Sequence, residues 1–267
     1  MNNNMWEHEA TRANLETLHG RGHIIVDPDD GYLACGTYGP GRLAENDKIL
    51  EAVQHSSDLA TETILITAGP TQEAIDPIRY LSNRSSGRMG YALAEAAIAR
   101  GAKVILVSGP VALKPPAKAE FVAVRTAQEM RDAVFANLEP ATTVIKCAAV
   151  ADFRPAAPAE HKIKKIGAAI SLDLEPTPDI LAELGRKKGD RVLIGFAAET
   201  QNLRDYATAK LKAKNCDMIV GNLASAIESD QNAVLLALRS GEFIEVPQAP
   251  KRQIADRILD QIANLRK

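Results

Sequence analysis

The sequence is short of several features that mark particular classes of protein. It has three cysteines in 267 residues. They are widely separated and odd in number, so we expect neither a disulfide framework nor a CxxC metal site. No apolar run approaches the roughly 18 residues of a membrane span, and the first ten residues, MNNNMWEHEA, lack the apolar core of a signal peptide. These absences predict a cytoplasmic protein with no membrane partner.

An excess of charge of one sign is also missing. The 32 Lys and Arg residues face 34 Asp and Glu residues, which gives a net charge of −2. Such a chain has no general attraction for nucleic acid or for anionic lipid, so we predict no nucleic-acid partner. Any anion must therefore bind at a local site. The hydrophobic fraction of 46% is that of an ordinary globular protein with one or two domains.

One stretch in the middle of the chain predicts a β-α-β unit. An apolar run at Ile64–Ile66 ends at Gly69, an alanine-rich helical pattern follows Gly90, and a second apolar run covers Val104–Val107. The first strand and the helix are separated by a polar insert, residues 72–84, and not by the GxGxxG turn of dinucleotide-binding folds. No Asp or Glu follows the second strand. A Rossmann-type NAD(P) reductase would fit this fold but lacks its sequence signature.

The remainder of the chain divides into two parts. From about residue 60 strands and helices alternate, which predicts an α/β fold: a Rossmann-like, mostly parallel sheet with helices on both faces and a C-terminal β-hairpin. An alternating pattern at Ala169–Leu174 also indicates a strand. Residues 1–58 predict a strand at His23–Val26 between two helices, too little to close a core. We therefore expect a partial flavodoxin-like segment, 1–58, before a second domain, 59–267.

Ligands of parallel sheets bind beyond the carboxyl ends of the strands. This rule predicts one crevice lined by residues 69–71, 148–152 and 196–200, by Asn222 and by the helix entrance 85–90. At that entrance, Asn83 and the group Ser85, Ser86, Gly87 and Arg88 could hold a phosphate or a developing oxyanion, or could simply cap the helix.

Several charged residues have two readings at this stage. The basic run 162–165 could neutralise a triphosphate or form a solvated face. Lys210 and Lys214 share a helix face, where like charges repel unless an anion joins them. Asp152 could bind a ribose or a metal, or could form a turn. Cys35 lies in a glycine-rich loop where an exposed, reactive thiol is expected.

Several motifs then occur in order over residues 62–265: ITAGPTQEAIDPIRYLSNRSSGRMG, CAAVADFRP, HKIKK, PDIL, GFAAET and KLKAKNCDMIVGN. They resemble phosphopantothenate-cysteine ligase, the ligase half of a bifunctional family of coenzyme A biosynthesis. In residues 1–55, MNNNMW and ACGTYGPGR resemble the end of the other half, the flavin-dependent phosphopantothenoylcysteine decarboxylase. The chain is thus identified as a ligase preceded by a C-terminal remnant of the decarboxylase.

The resemblance implies a reaction and roles for particular residues. The family uses CTP to activate the carboxylate of 4'-phosphopantothenate as an acyl-cytidylate, and the amine of L-cysteine then displaces CMP. Asn83 would stabilise formation of the acyl-cytidylate, and Lys162 would assist the second half-reaction. The resemblance also implies Mg²⁺, with ligands that the sequence does not identify, and a homodimer. The positions matching the family's CTP contacts are Ala148, Asp152, Lys162, Pro178, Asp179, Ile180, Leu181, Phe196, Lys210 and Lys214.

In the N-terminal segment, Asn2 and Cys35 match the catalytic Asn and the proton-donating Cys of the decarboxylase. The flavin-binding strands and the catalytic His of that family are not in the sequence, so we expect neither FMN binding nor decarboxylase activity from this chain alone. The loop after Asn222 is shorter than the family's usual loop and lacks its Gly-Phe pair. An alternative function is therefore a binding or assembly module with weakened ligase activity.

Overall fold

The computed structural model describes residues 1–21, 25–54, 58–165, 170–199, 202–223 and 231–266. The chain forms two compact units, Met1–Ser56 and Ser57–Lys267. Each unit is described by itself below. Among the described residues, no helix has both the length and the apolar character needed to cross a membrane.

The described residues of the first unit form three helices and one antiparallel hairpin. Its elements are α1 (Asn3–Trp6), α2 (Glu9–Gly20), β1 (Asp29–Tyr32), β2 (Tyr38–Arg42) and α3 (Asn46–Gln54).

The predicted strand at His23–Val26 is wrong where it can be compared. Ile25 and Val26 belong to no strand, and the first two residues lie outside the described part of the chain. The first strand lies further along the chain, at β1, because the turn after Tyr32 brings β2 back as its partner. In that turn Leu33 N donates to Thr37 O at 2.8 Å, and Gly36 takes a φ of 83°.

The second unit is a three-layer α/β structure. Its strands are β3 (Thr63–Ala68), β4 (Gln72–Ala74), β5 (Tyr80–Ser82), β6 (Lys103–Ser108), β7 (Glu120–Ala123), β8 (Thr143–Lys146), β9 (Phe153–Pro155), β10 (Leu174–Pro176), β11 (Val192–Glu199), β12 (Met218–Leu223), β13 (Gln231–Leu238) and β14 (Phe243–Pro250). Its helices are α4 (Arg88–Ala99), α5 (Ala127–Ala136), α6 (Ile180–Arg186), α7 (Leu203–Ala213) and α8 (Lys251–Leu265).

Eight of these strands form one sheet in the order β14-β13-β12-β11-β8-β3-β6-β7. The six strands from β12 to β7 are parallel, and β13 and β14 add an antiparallel hairpin at one edge. The predicted mostly parallel sheet and C-terminal hairpin are therefore confirmed. The parallel strands run in the same direction, so their carboxyl ends lie along one edge, where the loops that can bind a ligand are collected.

Helices cover both faces of the sheet, because its central strands are apolar on both sides. In β3, Ile64 and Ile66 belong to the cluster packed under α4 and α8, whereas Leu65 belongs to the cluster packed under α5, α6 and α7. All three are fully buried. At the start of α5, Thr126 and Glu129 are bonded reciprocally in a capping box. This two-sided core fixes the helix entrances against the strand ends.

Two small antiparallel pairs lie outside the main sheet, and the sequence did not predict either. The polar insert after β3 forms the β4–β5 hairpin, whose turn is organised by the buried carboxylate of Asp76. The predicted strand at Ala169–Leu174 is wrong: residues 170–173 are irregular and residue 169 lies outside the described chain. The strand begins at Leu174 because its partner is β9, which opposes only Leu174–Pro176.

Candidate functional site

A cavity of about 820 Å³ opens at the carboxyl edge of the sheet in the second unit. It is lined by the ends of β3, β8, β11 and β12 and by the entrances of α4, α6 and α8. Most of the predicted crevice residues meet here. They are Gly69, Asn83, Ser85, Ser86, Gly87, Arg88, Ala148, Asp152, Pro178, Asp179, Ile180, Leu181, Phe196, Lys210, Lys214 and Asn222.

The entrance of α4 lies on the wall of the cavity, where residues 87–90 are among the lining residues. Its N-cap is Gly87, with a φ of 73° and no side-chain capping bond. A Cβ at Gly87 would lie 2.8 Å from Val111 Cγ1, and one at Gly90 would lie 2.6 Å from Ala68 Cβ. The glycines thus let the helix start close against β3. Because no side chain caps it, this helix end can present its N–H groups to an anion.

Asn83 lies on the same wall, two residues before Ser85. Its Nδ2 donates to the carbonyl oxygen of Val150 at 2.9 Å, and its side chain remains exposed to the cavity. This bond links the loop before α4 to the segment after β8. The Asn83 carboxamide is therefore held in place without being buried, as a positioned donor requires.

A second wall is formed by α6, α7 and the end of β11. Lys210 Nζ donates to Phe196 O at 2.8 Å, and Lys214 forms a 2.5 Å ion pair with Asp179, the N-cap of α6. Burial alone would raise the pKa of Asp179, but hydrogen bonds from Lys214 and from the Ala182 N–H hold it below its usual value. Ile180, 2% exposed, supplies an apolar floor. The wall combines an apolar surface with fixed charges, as a slot for a base does.

The structure adds a lysine that the sequence analysis did not single out. Lys146, the last residue of β8, lines the cavity and donates to Ala148 O at 3.3 Å. Burial lowers its pKa to about 8, and the like charge of Lys210 adds to this shift. A lysine at the end of an otherwise apolar strand was the available signal, because lysine is seldom buried without a functional or electrostatic reason.

Three further lining residues are Asn222 near the end of β12, Asn232 in β13 and Lys251 at the start of α8. Asn232 is 4% exposed and Lys251 is 8% exposed. The sequence analysis predicted only the first of them as part of the crevice. Lys251 belongs to no motif, whereas Asn232 is the last residue of the Ser-Asp-x-Asn sequence typical of the family that the chain resembles. Both reach the cavity because β13 begins beside the end of β14, which leads directly into α8.

The cavity is much more basic than the chain as a whole. Six basic side chains and two carboxylates are among its described lining residues, in a protein with a net charge of −2. This local excess of positive charge favours the binding of an anion in the cavity, although the chain as a whole has no general attraction for anions. The basic residues are Arg84, Arg88, Lys146, Lys210, Lys214 and Lys251, and the carboxylates are Asp152 and Asp179.

Among the residues that the resemblance assigns to the ligase reaction, Lys162 is the one that is absent from the described lining of this cavity. The next residue explains its location: Ile163 N donates to Asp76 Oδ2 at 3.1 Å, and Arg79 Nη2 donates to Ile163 O at 2.8 Å. These bonds hold the basic segment against the β4–β5 hairpin, with Lys162 exposed. The expectation that Lys162 shares the crevice with Asn83 is therefore not met in this conformation.

Two other predicted residues, Asn2 and Cys35, belong to the first unit. Asn2 caps α1 by accepting a hydrogen bond from Met5 N at 2.9 Å. Cys35 is exposed, and a hydrogen bond with Thr37 lowers the pKa of its thiol. This thiol is more readily deprotonated than an ordinary cysteine.

The shortened loop predicted after Asn222 falls on residues 224–230, which lie outside the described residues.

The lining residues can be tested against the groups that the resemblance implies. The described residues contain no cluster of three His, Cys, Asp or Glu side chains. Mg²⁺ needs few protein ligands when phosphates and water supply the others, and Asp152 offers a carboxylate on the wall. FMN fits less well: such folds hold the cofactor at the strand ends of a parallel sheet, whereas the described part of the first unit has only an antiparallel hairpin.

Comparison with known proteins gives two family matches. The model of the DNA/pantothenate metabolism flavoprotein C-terminal domain matches residues 59–265, and the Flavoprotein model matches residues 1–57.

Among curated proteins, the coenzyme A biosynthesis bifunctional protein CoaBC of Bacillus subtilis is 45% identical over 278 residues, covering 100% of this chain and 68% of the relative. The Escherichia coli K12 protein of the same name is 44% identical over 98% of this chain and 67% of its own length. A crystal structure of a CoaBC C-terminal domain matches with a TM-score of 0.70 and 47% identity, covering 79% of this chain and 98% of that one.

These matches correct one interpretation made from the sequence. The description of the chain as a ligase preceded by a remnant is wrong, because residues 1–57 match a flavoprotein model in their own right and the B. subtilis alignment covers both segments. The chain spans about two thirds of the length of these relatives. With a flavoprotein segment followed by the matching C-terminal domain, the chain belongs to the CoaBC family of bifunctional coenzyme A biosynthesis proteins.

Proposed function

We propose that the second unit is a phosphopantothenate-cysteine ligase domain that uses CTP. The observation that carries this proposal is the excess of basic side chains around one cavity in an acidic chain, together with an uncapped helix entrance. Joining two anions, a phosphorylated carboxylic acid and a triphosphate, requires that their charges be neutralised in a confined space. Membership of the CoaBC family supports the choice of substrates.

In the first half-reaction, a carboxylate oxygen of 4'-phosphopantothenate attacks the α-phosphorus of CTP, and pyrophosphate leaves. The nucleoside end of CTP lies against the wall with Lys210, Lys214 and the apolar floor at Ile180. The phosphates are bound by the N–H groups at the start of α4, beside Ser85 and Ser86. Asn83 Nδ2, now donating to Val150 O, can turn its donor to the negative charge that develops during the attack.

In the second half-reaction, the amine of L-cysteine attacks the acyl carbon. The C–O bond to CMP breaks, and the amine loses a proton as the amide forms. We propose that Lys162 assists this step, which requires the segment held by Asp76 and Arg79 to move toward the cavity. That movement would break the two hydrogen bonds that Ile163 makes with Asp76 and Arg79, each worth about 0.5–3 kcal/mol.

Mg²⁺ bound with the triphosphate would reduce its negative charge, and the carboxylate of Asp152 is suited to hold it. For the first unit we propose that Asn2 and Cys35 are its chemically important residues, and that this chain alone does not decarboxylate phosphopantothenoylcysteine. The antiparallel hairpin of its described residues supports this. Turnover of phosphopantothenoylcysteine by the purified chain with added FMN would contradict it.

We also propose a homodimer, as the family resemblance implies. Large apolar side chains on two small antiparallel pairs of the second unit remain exposed, including Tyr80 at 51%, Phe153 at 54% and Leu174 at 49%. Contact with a second copy would cover such side chains. Light scattering coupled to size exclusion should give twice the mass of one chain, and the mass of a single chain would contradict the proposal.

The test of function is pyrophosphate release by the purified chain. We expect release from CTP that requires phosphopantothenate, proceeds without cysteine to about one equivalent per site, and becomes continuous when cysteine is added. ATP should be a poorer substrate. No release in the presence of all three substrates would favour the alternative, a binding or assembly module. Lys103→Met, at the opposite edge of the sheet, is the matched control and should retain full activity.

A further inference from the structure

The wall formed by β13 and α8 contains two polar side chains to which the reaction steps above give no task. Asn232 is 4% exposed and lines the cavity, and among the residues that the structure describes its Oδ1 has no hydrogen-bond partner. Leaving a buried acceptor unpaired is unfavourable, so such groups are usually satisfied by a ligand or water. Within the cavity, Asn232 Oδ1 is thus an acceptor prepared for something that binds there.

Lys251 supplies a positive charge on the same wall. It is the first residue of α8, it is 8% exposed, and it lines the cavity. Its charge also acts on Cys147, just after β8. Burial raises the pKa of that thiol to about 12, and the positive charge of Lys251 opposes this rise. The 15-residue helix has no side-chain cap and no acidic residue in its first turn, so its dipole adds to the charge of the lysine.

We propose that Asn232 and Lys251 form a subsite for the terminal phosphates of the nucleoside triphosphate, the part that leaves as pyrophosphate. Helices α4 and α8 pack on the same face of the sheet, so the two uncapped helix entrances can hold a polyphosphate between them. Lys251 binds the anion. A triphosphate at neutral pH carries no donor for Asn232, but the waters that hydrate its Mg²⁺ are donors.

This inference rests on the proposed function, because it assigns a place to one end of that nucleotide. The wall proposed above for the nucleoside end, with Lys210 and Lys214, lies on the other face of the sheet, where α6 and α7 pack. Binding of a nucleoside monophosphate should therefore use only that wall. Binding of a triphosphate, or of pyrophosphate alone, should use the subsite at Asn232 and Lys251.

The test is calorimetric titration of the full chain with CTP, CMP and inorganic pyrophosphate in the presence of Mg²⁺. Lys251→Met keeps an apolar chain of similar length, and we expect it to weaken CTP and pyrophosphate binding about ten- to one-hundredfold, as the loss of one charged hydrogen bond does. CMP binding should change less than about twofold. Lys251→Arg should retain most of the CTP affinity. Lys103→Met serves as the control.

Asn232→Leu gives an independent reading with a side chain of similar size. We expect it to weaken CTP binding in Mg²⁺, to have no effect on CTP binding in EDTA, and to leave CMP binding unchanged. Equal losses of CTP and CMP affinity in both variants, or no loss in either, would overturn the inference. If the unaltered chain bound none of the three ligands, the proposed function itself would fail, which is a different result.

Discussion

Replacing Lys146 by Met should make the protein more stable. It should also abolish the proton uptake that we expect when a nucleotide binds. Burial lowers the pKa of Lys146 from 10.5 to about 8, so the folded chain holds a charge that the unfolded chain solvates better. Between pH 8 and 10.5 the unfolded chain binds more protons, and stability rises with pH across that window. Below pH 8 the full cost of the buried charge is present.

The size of the effect follows from the shift. A depression of about 2.5 pKa units corresponds to at most about 3 kcal/mol. For a unit of this size that amounts to an increase of at most about 10 °C in melting temperature. The gain of Lys146→Met should be largest at pH 7 and should shrink toward pH 10, because the unaltered lysine then becomes neutral in the folded chain.

Nucleotide binding should change the protonation of the same lysine. If a polyphosphate enters the cavity, its charge raises the pKa of Lys146, and the lysine takes up a proton. With a pKa near 8, the uptake should be about half a proton at pH 8 and about one tenth at pH 7.

Calorimetric titration with CTP in buffers of different ionisation enthalpy measures this uptake. Lys146→Met should abolish it, whereas Lys103→Met should leave it unchanged. Equal proton uptake at pH 8 by the unaltered chain and by Lys146→Met, or a melting temperature that falls in Lys146→Met at pH 7, would refute the reasoning.

Three further predictions concern single side chains. Asn83→Ala should lower the rate of pyrophosphate release at least a hundredfold while lowering the melting temperature by no more than Asn137→Ala does. Asn137→Ala loses a similar bond to Ala133 O and should keep full activity, and equal activity of the two variants would remove Asn83 from the mechanism. Lys162→Gln should accumulate acyl-cytidylate, detected by mass spectrometry of quenched reactions, and normal turnover would show that its segment does not take part. Gly90→Ala should cost about 1–3 kcal/mol by thermal unfolding, because its Cβ would lie 2.6 Å from Ala68 Cβ, and an unchanged melting temperature would contradict the close packing of α4.

The parallel core could be predicted from the sequence because its signal is local. Buried strands such as β3 are continuous apolar runs, and the helices between them show their own period and caps. The small hairpins could not be predicted in this way. Strands β4, β9 and β10 have three residues each, and their existence depends on a partner and not on their own pattern. The strand expected at Ala169–Leu174 failed for that reason.

The site was predictable to the extent that one topological rule applies. Parallel strands end at the same edge, which brought Asn83, Asp152 and Phe196 to one cavity. Lys146 was not predicted as a site residue, although it is a charged residue at the end of a buried strand. Lys251 reaches the cavity only because α8 begins directly after the antiparallel strand β14, and no sequence motif indicates that position. The position of Lys162 depends on a bond from Ile163 to Asp76, 87 residues away in sequence, and a contact of that kind is decided by the folded chain.

The most direct test of the account follows an oxygen atom. If the carboxylate of phosphopantothenate attacks the α-phosphorus of CTP in this cavity, then phosphopantothenate labelled with ¹⁸O in its carboxyl group should transfer one label to CMP during a complete reaction with cysteine. Mass spectrometry of the recovered CMP and pyrophosphate measures this. One ¹⁸O in CMP and none in pyrophosphate is the predicted result. Unlabelled CMP, or label found in inorganic phosphate, would contradict the acyl-cytidylate and the arrangement of the site proposed to form it.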